Sequence, residues 1–486
     1  MFSRRHFIAG AAATALAPAI LRAQSLWRHY PFSLGIASGD PAPDGFVIWT
    51  RIAPEPLAPD GGMGIGVAPV KWEVAADDRF NDIVASGEAP ARPELAHSVH
   101  VEVSGLQPDR PYWYRFEIQG ERSIRGRART LPLPGSSPQS LRFGVAGCQH
   151  YEEGYYAAFR HLAREDLAFV YHYGDYIYEY GGDDPRVNRG GDLFEPVRLH
   201  SGRRDLYDIT DYRQRYAQTK MDADLQRAHA AFPFLVTMDD HEVENNWVGI
   251  LPQDDTPPEI FRLRRAQAFQ AWYEHMPVRW SSLPRPEGIT LHDSLRWGDL
   301  AAINLLDTRQ YRSDQVCNDR WATPCPAVGS ADTTVLGADQ EAWLARNLSQ
   351  DQARWNVLAQ QIMMMSLDRR TREEPEKFVN LDSWAGYEGA RQRLLARMRG
   401  LDNVVVLTGD EHQNYAGLPT IATSRSRSSS SRPRSAAAAT ARTRGREATG
   451  SSPTTRSSSS STTSAATSPA RSMPRNGGRT SWSWTG

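Results

Sequence analysis

Apolar and polar residues alternate along the first third of the chain, then give way to unbroken apolar runs. Phe46-Val47-Ile48-Trp49-Thr50, Val70-Lys71-Trp72-Glu73-Val74 and Ser98-Val99-His100-Val101-Glu102-Val103 alternate or are rich in β-branched and aromatic residues. Such segments predict strands with one buried face. Residues 26–134 therefore read as all-β. Leu131-Pro132-Leu133-Pro134-Gly135-Ser136-Ser137-Pro138 is a linker by composition. Beyond it the rhythm changes. A strand over 141–146, a helix over about 155–164 and a strand ending at Tyr173 form a β-α-β unit, which implies a parallel sheet. Further helices are predicted over 259–275, 338–348 and 387–399, and strands over 300–306 and 355–359. This second region is α/β in character.

Two segments stand apart. Leu106-Gln107-Pro108-Asp109-Arg110-Pro111-Tyr112-Trp113-Tyr114-Arg115-Phe116 is a turn followed by an aromatic strand. It resembles the late strands of fibronectin type III domains, where a Tyr pins the corner of the sandwich. The β region carries no cluster of ligands or nucleophiles and reads as a docking or covering module. After about residue 423 the chain becomes a tract of Ser, Thr, Ala and Arg with almost no large apolar residues. That composition cannot bury enough surface to fold, so residues 423–486 are expected to be disordered. A shifted reading frame in a GC-rich gene would yield the same residues.

A chain of 486 residues allows two or three domains. Its net charge of -1 conceals a split. The stretch from Ile421 onward holds eleven Arg, no Lys and one acid, leaving 45 basic against 56 acidic residues before it. That body is acidic, so no nucleic-acid partner is expected. At the N-terminus, Ser3-Arg4-Arg5-His6-Phe7-Ile8-Ala9 precedes an apolar run and small residues near Ala23. Residues 1–24 read as an export signal of the twin-arginine type, which implies the twin-arginine machinery as a partner and a periplasmic or secreted protein. No later stretch is long enough to cross a bilayer, so an integral membrane protein is not expected. Cys317 and Cys325 are close enough in one loop to pair in an oxidising compartment. Cys148 is left over, either as a buried structural thiol or as a ligand.

Three clusters carry the candidate chemistry: Gly174-Asp175-Tyr176-Ile177-Tyr178-Glu179, Asp239-Asp240-His241-Glu242 and Gly409-Asp410-Glu411-His412. Each follows an apolar run that reads as a buried strand. Strand ends side by side make a rim at which side chains converge. Taken singly, each cluster reads as well as a helix cap, a solvated loop or a satisfied core histidine. Together, unpaired carboxylates would repel one another, which argues for cations between them. Oxygen ligands suit Ca²⁺ or Mg²⁺, whereas a Cys148 thiolate and a Tyr178 phenolate suit an iron-type ion. Two such cations can hold a hydroxide and clamp phosphate oxygens. Spacing alone does not assign His241; next to a ligand, it could protonate a leaving alkoxide or hydrogen-bond the phosphoryl group.

These clusters, with Gly147-Cys148-Gln149, Val243-Glu244-Asn245-Asn246-Trp247, Leu306-Asp307-Thr308-Arg309-Gln310-Tyr311 and Asn356-Val357-Leu358-Ala359-Gln360-Gln361, resemble the PhoD-like alkaline phosphatases of the metallophosphatase superfamily. The resemblance runs in order from the signal to about residue 420. It implies an α/β class fold: a metallophosphatase α/β/β/α sandwich over residues 140–422, preceded by a fibronectin-III-like β-sandwich. It also implies hydrolysis of phosphate mono- and diesters with Fe³⁺ and Ca²⁺. By similarity, Cys148, Asp175, Tyr178 and His412 hold iron. Asp175 bridges to calcium, with Asp410 and either Asp240 or Asn245 completing that sphere. His241 faces the phosphate. Arg309 anchors phosphate or a carboxylate, or simply pairs with Asp307. The family continues past this last motif with ordered catalytic sequence, where this chain has its Ser/Arg tract. Two alternatives remain: a phospholipase D-like phosphodiesterase, or a secreted binding protein or inactive remnant.

Overall fold

The apolar runs become short parallel strands because each is covered on both faces. The computed structural model describes residues 27–181, 196–202, 204–350, 353–372, 375–417, 437–439 and 480–485. The twin-arginine segment and most of the Ser/Arg tract lie outside the described residues. The strands are β1 (Ile36–Ala42), β2 (Gly45–Arg51), β3 (Ala68–Ala75), β4 (Ile83–Ala91), β5 (Ser98–Val103), β6 (Pro111–Ile118), β7 (Glu121–Arg122), β8 (Gly126–Arg129), β9 (Ser140–Ala146), β10 (Val170–His172) and β11 (Pro233–Val236). They continue as β12 (Asp293–Trp297), β13 (Ala301–Leu305), β14 (Trp321–Ala322), β15 (Trp355–Ala359), β16 (Val379–Asn380), β17 (Val404–Leu407), β18 (Ala416–Gly417), β19 (Ala437–Ala439) and β20 (Thr480–Thr485). The helices are α1 (Ala157–Leu162), α2 (Ile209–Lys220), α3 (Ala223–Ala231), α4 (Pro258–His275), α5 (Gly337–Gln350) and α6 (Glu388–Met398).

Two sheets face each other. One runs β20-β9-β10-β11-β1-β2-β5, the other β12-β13-β15-β17-β19-β18. Between them Phe143, Tyr171 and Leu235 meet Ile303, Val357 and Val405. The alternate residues face outward. Val170, Phe234 and Val236 pack on the layer that includes α2, α3 and α4, and Val404, Val406 and Leu358 pack with residues of α5 and α6. This is an α/β/β/α arrangement, as expected.

The β region departs from expectation in one respect. β3, β4, β6, β7 and β8 make their own sheet, but β1, β2 and β5 do not. β1 pairs in parallel with β11, with Gly39 opposite Phe234. The expected boundary after residue 134 divides the chain but not the sheet. The same strands form one wall of the sandwich core, where Phe46, Ile48 and Val101 meet Val70, Val74, Tyr114 and Phe116. Gly39 permits the join, since a Cβ there would lie 2.7 Å from the Phe234 carbonyl oxygen and 2.2 Å from that of Pro277. The corner Tyr is Tyr112, whose hydroxyl accepts from Gln107 N–H at 2.9 Å. Within the tract expected to be disordered, β19 pairs with β17 and β20 with β9.

Candidate metal centre

Every candidate ligand follows a strand on one rim. Cys148 follows β9, Asp175 follows β10, Asp240 and His241 follow β11, Arg309 follows β13, and Asp410 and His412 follow β17. The strand ends approach so closely that glycine precedes the ligands. A Cβ on Gly147 or on Gly409 would lie 2.2 Å from the same Tyr173 ring, and one on Gly174 would lie 2.3 Å from Asp239 N. The chain turns sharply at four of these candidates. Cys148, Asp175, Asp410 and His412 all have positive φ, at 48°, 54°, 67° and 50°. Left-handed non-glycine residues are uncommon, and a cluster of four marks a constrained site.

One donor atom each from Cys148, Asp175 and His412 lies within 4.8 Å of the others. Tyr178 joins them, donating its hydroxyl to Asp175 Oδ2 at 3.0 Å and standing 3.1 Å from His412 Nε2. Asp175, Asp240 and His241 form a second such group, and Asp239, Asp240 and Asp410 a third. Asp175 and Asp240 each belong to two groups, so the clusters are contiguous. Asp175 is 1% exposed, whereas the His412 side chain is 40% exposed, which opens that end to solvent.

Among the described residues, four of these carboxylate oxygens are buried with no hydrogen-bond partner: Asp175 Oδ1, Asp239 Oδ2, Asp240 Oδ1 and Asp410 Oδ2. Orphaned buried acceptors are rare and costly. Burial, with Asp240 and Asp175 repelling it, pushes Asp239 well up despite Arg309, and burial with Asp239 does the same to Asp410. Burial and then Asp175 push up both the Cys148 thiol and the Tyr178 phenol. A bound cation reverses this logic. The residues fit two cations: thiol, phenol, imidazole and carboxylate donors at one end, carboxylates at the other.

Asn245 directs its side-chain nitrogen to Gln253 Oε1 at 2.7 Å and its backbone N–H to Glu179. It is Asp240 that stands between the groups. Asp240 Oδ2 accepts from Asn246 N–H at 2.8 Å. His241 places Nδ1 2.7 Å from Glu179 Oε2. Burial works to neutralise His241, but Asp240, Glu179 and Asp175 together raise it well above the ordinary histidine value.

Arg309 does not pair its guanidinium with Asp307. Asp307 Oδ1 accepts the backbone N–H groups of Arg309 and Gln310. The guanidinium instead reaches Asp239 at 2.7 Å and Asp382 at 2.7 Å, with Asp240 at 3.5 Å and Asp410 at 3.7 Å. At 1% exposure it lies beneath the carboxylates.

Three supporting residues have no role assigned from sequence. Glu242 accepts N–H bonds from Asp175, Tyr176 and Asp239, fixing two ligand loops at once, and burial with the Asp175 charge raises it to about 8. Its place three residues after Asp239 was the available signal. Asp239 opens the same cluster, but its spacing assigns it no role. Asp382 lies in Leu381-Asp382-Ser383-Trp384, which carries no motif.

Two facing sheets with this rim define an α/β/β/α sandwich with a candidate metal centre at one edge. Residues 143–477 match the PhoD-like phosphatase family and residues 15–132 match the PhoD-like phosphatase N-terminal domain. The first match runs past residue 420 into the Ser/Arg tract. The chain is 47% identical over 428 residues to alkaline phosphatase D of Bacillus subtilis (strain 168), covering 85% of this chain and 72% of that protein. A solved structure titled "Structure of PhoD" superposes with a TM-score of 0.80 at 45% identity, covering 85% of this chain and 77% of that one. The chain belongs to the PhoD-like phosphatase family.

Proposed function

We propose that the chain is an exported alkaline phosphatase and phosphodiesterase with a binuclear iron–calcium centre. The observation that carries this reading is the run of orphaned carboxylate oxygens beside a thiol, a phenol and an imidazole. Cys148, Asp175, Tyr178 and His412 would hold iron. Asp175, Asp240 and Asp410 would hold calcium. When bound, the cations supply positive charge for activating water and for binding phosphoryl oxygens. Glu179 fixes the His241 ring through Nδ1, leaving Nε2 to donate a proton to the departing alkoxide. Arg309 acts as a positioning counter-charge to Asp239 and Asp382, holding the β11 loop in register. Residues 26–134 would brace this body as a β-sandwich, and residues 1–24 would direct export.

The test is release of phosphate from p-nitrophenyl phosphate at alkaline pH by protein loaded with iron and calcium. Asp175→Asn should lower the rate by at least about 100-fold, beyond the roughly 10–100-fold typical of lost supporting contacts. No phosphate release from loaded wild-type protein would sink the reading. Export is tested by replacing Arg4-Arg5 with Lys-Lys, which should leave the activity inside the cell.

A further inference from the structure

A second group of donors lies outside the ligand set above. His150 and Glu152 follow β9, and His200 precedes α2. One donor atom from each lies within 4.8 Å of the other two. Glu152 is 2% exposed and His200 6%. Among the described residues, neither ring nitrogen of His200 nor Nδ1 of His150 has a hydrogen-bond partner, although the Gln218 side chain stands close to His200. A buried imidazole with neither nitrogen satisfied is costly, and a cation would supply the missing partner.

The backbone holds these donors in place. Glu152 Oε1 accepts from His200 N–H at 2.8 Å, and the Glu152 carbonyl accepts from Val197 N–H at 2.9 Å. Arg198 donates to the Tyr151 carbonyl at 2.7 Å and lies over the Tyr151 ring, on which His200 stacks. Two imidazoles and one carboxylate form a ligand set that suits Zn²⁺. Burial, reinforced by the Arg215 guanidinium, keeps His200 neutral, the form that binds metal. Arg215 also opposes a cation, a charge that Glu152 offsets.

We propose that His150, Glu152 and His200 form a third cation site, for a divalent ion of the zinc class. It adjoins the carboxylate rim, since the His150 and Tyr178 rings are 4.5 Å apart, yet shares no ligand with it.

The test counts zinc bound to the full-length protein, already loaded with iron and calcium, after equilibration with Zn²⁺. Wild type should hold one more zinc per chain than His200→Gln, with the affinity of that ion falling about tenfold or more. Glu152→Gln keeps an oxygen for the His200 N–H and should also weaken it. Circular dichroism and thermal midpoint certify that each variant is folded. In an Asp175→Asn background the His200-dependent zinc should persist, which separates this site from the rim. Equal zinc in folded wild type, His200→Gln and Glu152→Gln would overturn the proposal, as would loss of that ion in Asp175→Asn.

Discussion

Lys220 shows how far a single residue can depart from its usual place. Its ammonium is buried 4.4 Å over the Trp49 ring and 5.2 Å from that of Tyr176. Burial lowers it to about 7. An unfolded lysine titrates near about 10.4. Between those values the unfolded chain binds more protons than the folded one, so stability rises with pH. Below about 7 the folded lysine is charged and the full cost of burying it is present. Thermal midpoints measured from about pH 6.5 to 9, short of the ordinary lysine value, should therefore climb for wild type. Lys220→Met should flatten that climb, and parallel curves for the two proteins would refute the assignment. The proposed ligand residues stand out in the sequence far more than Lys220 does. A glycine followed by Asp or Cys at a strand end announces a sharp turn, and here glycine is required because Tyr173 fills the space a Cβ would need.

Elements with clean apolar rhythm were readable, and those with polar residues facing the core were not. β15 and α4 lie where the pattern puts them. α2 was missed because its buried residues are Tyr212, Arg215, Tyr216, Ala217, Thr219 and Lys220. The spacing is helical, yet three of the six are polar, so periodicity in hydrophobicity vanishes. Its start was visible in Asp208 and Asp211, which form a capping box. The loop after α4 and β13 gives a different lesson. Cys317 and Cys325 are bonded, as their spacing suggested. The consequence lies in what that loop grips. Asn246, whose N–H holds Asp240, donates its side chain to the Asp319 carbonyl at 3.0 Å, while Gln315 donates to Asn246 O and Asp382. The disulfide thus closes the loop that clamps a proposed calcium ligand. Replacing both cysteines by serine should cost roughly 2–3 kcal/mol in denaturant melts. It should also weaken calcium binding roughly tenfold, the size expected for a supporting contact. Unchanged calcium affinity in a destabilised variant would separate the disulfide from the rim.

At the scale of the whole molecule, the α/β/β/α body was legible and its union with the β-sandwich was not. Strand patterns report which residues are buried, but not which strand lies beside which. The sequence of β1 reads equally well within a sandwich or beside β11. The tail gives the same lesson on a smaller scale. Ser481-Trp482-Ser483-Trp484 alternates as a strand does and forms part of β20, but reading residues 423–486 by composition averages it away. The union is extensive beyond its backbone pairing. Trp49 Nε1 donates to the Glu274 carbonyl at 3.0 Å, Arg51 reaches His275 at 2.8 Å, and His100 stacks on Tyr273 with centroids 4.5 Å apart. Removing residues 27–134 would therefore expose the β11 edge and the end of α4 together. An open apolar edge is a template for aggregation. The truncated chain should purify as aggregate, or with a denaturation transition that has lost cooperativity. A soluble monomer retaining full phosphatase activity would show that the seam is dispensable and that the sandwich merely decorates the catalytic body. Aggregation that Gly39→Val reproduces in the full-length chain would place the cause at the β1–β11 join itself, where the Phe234 and Pro277 carbonyls leave no room for a side chain.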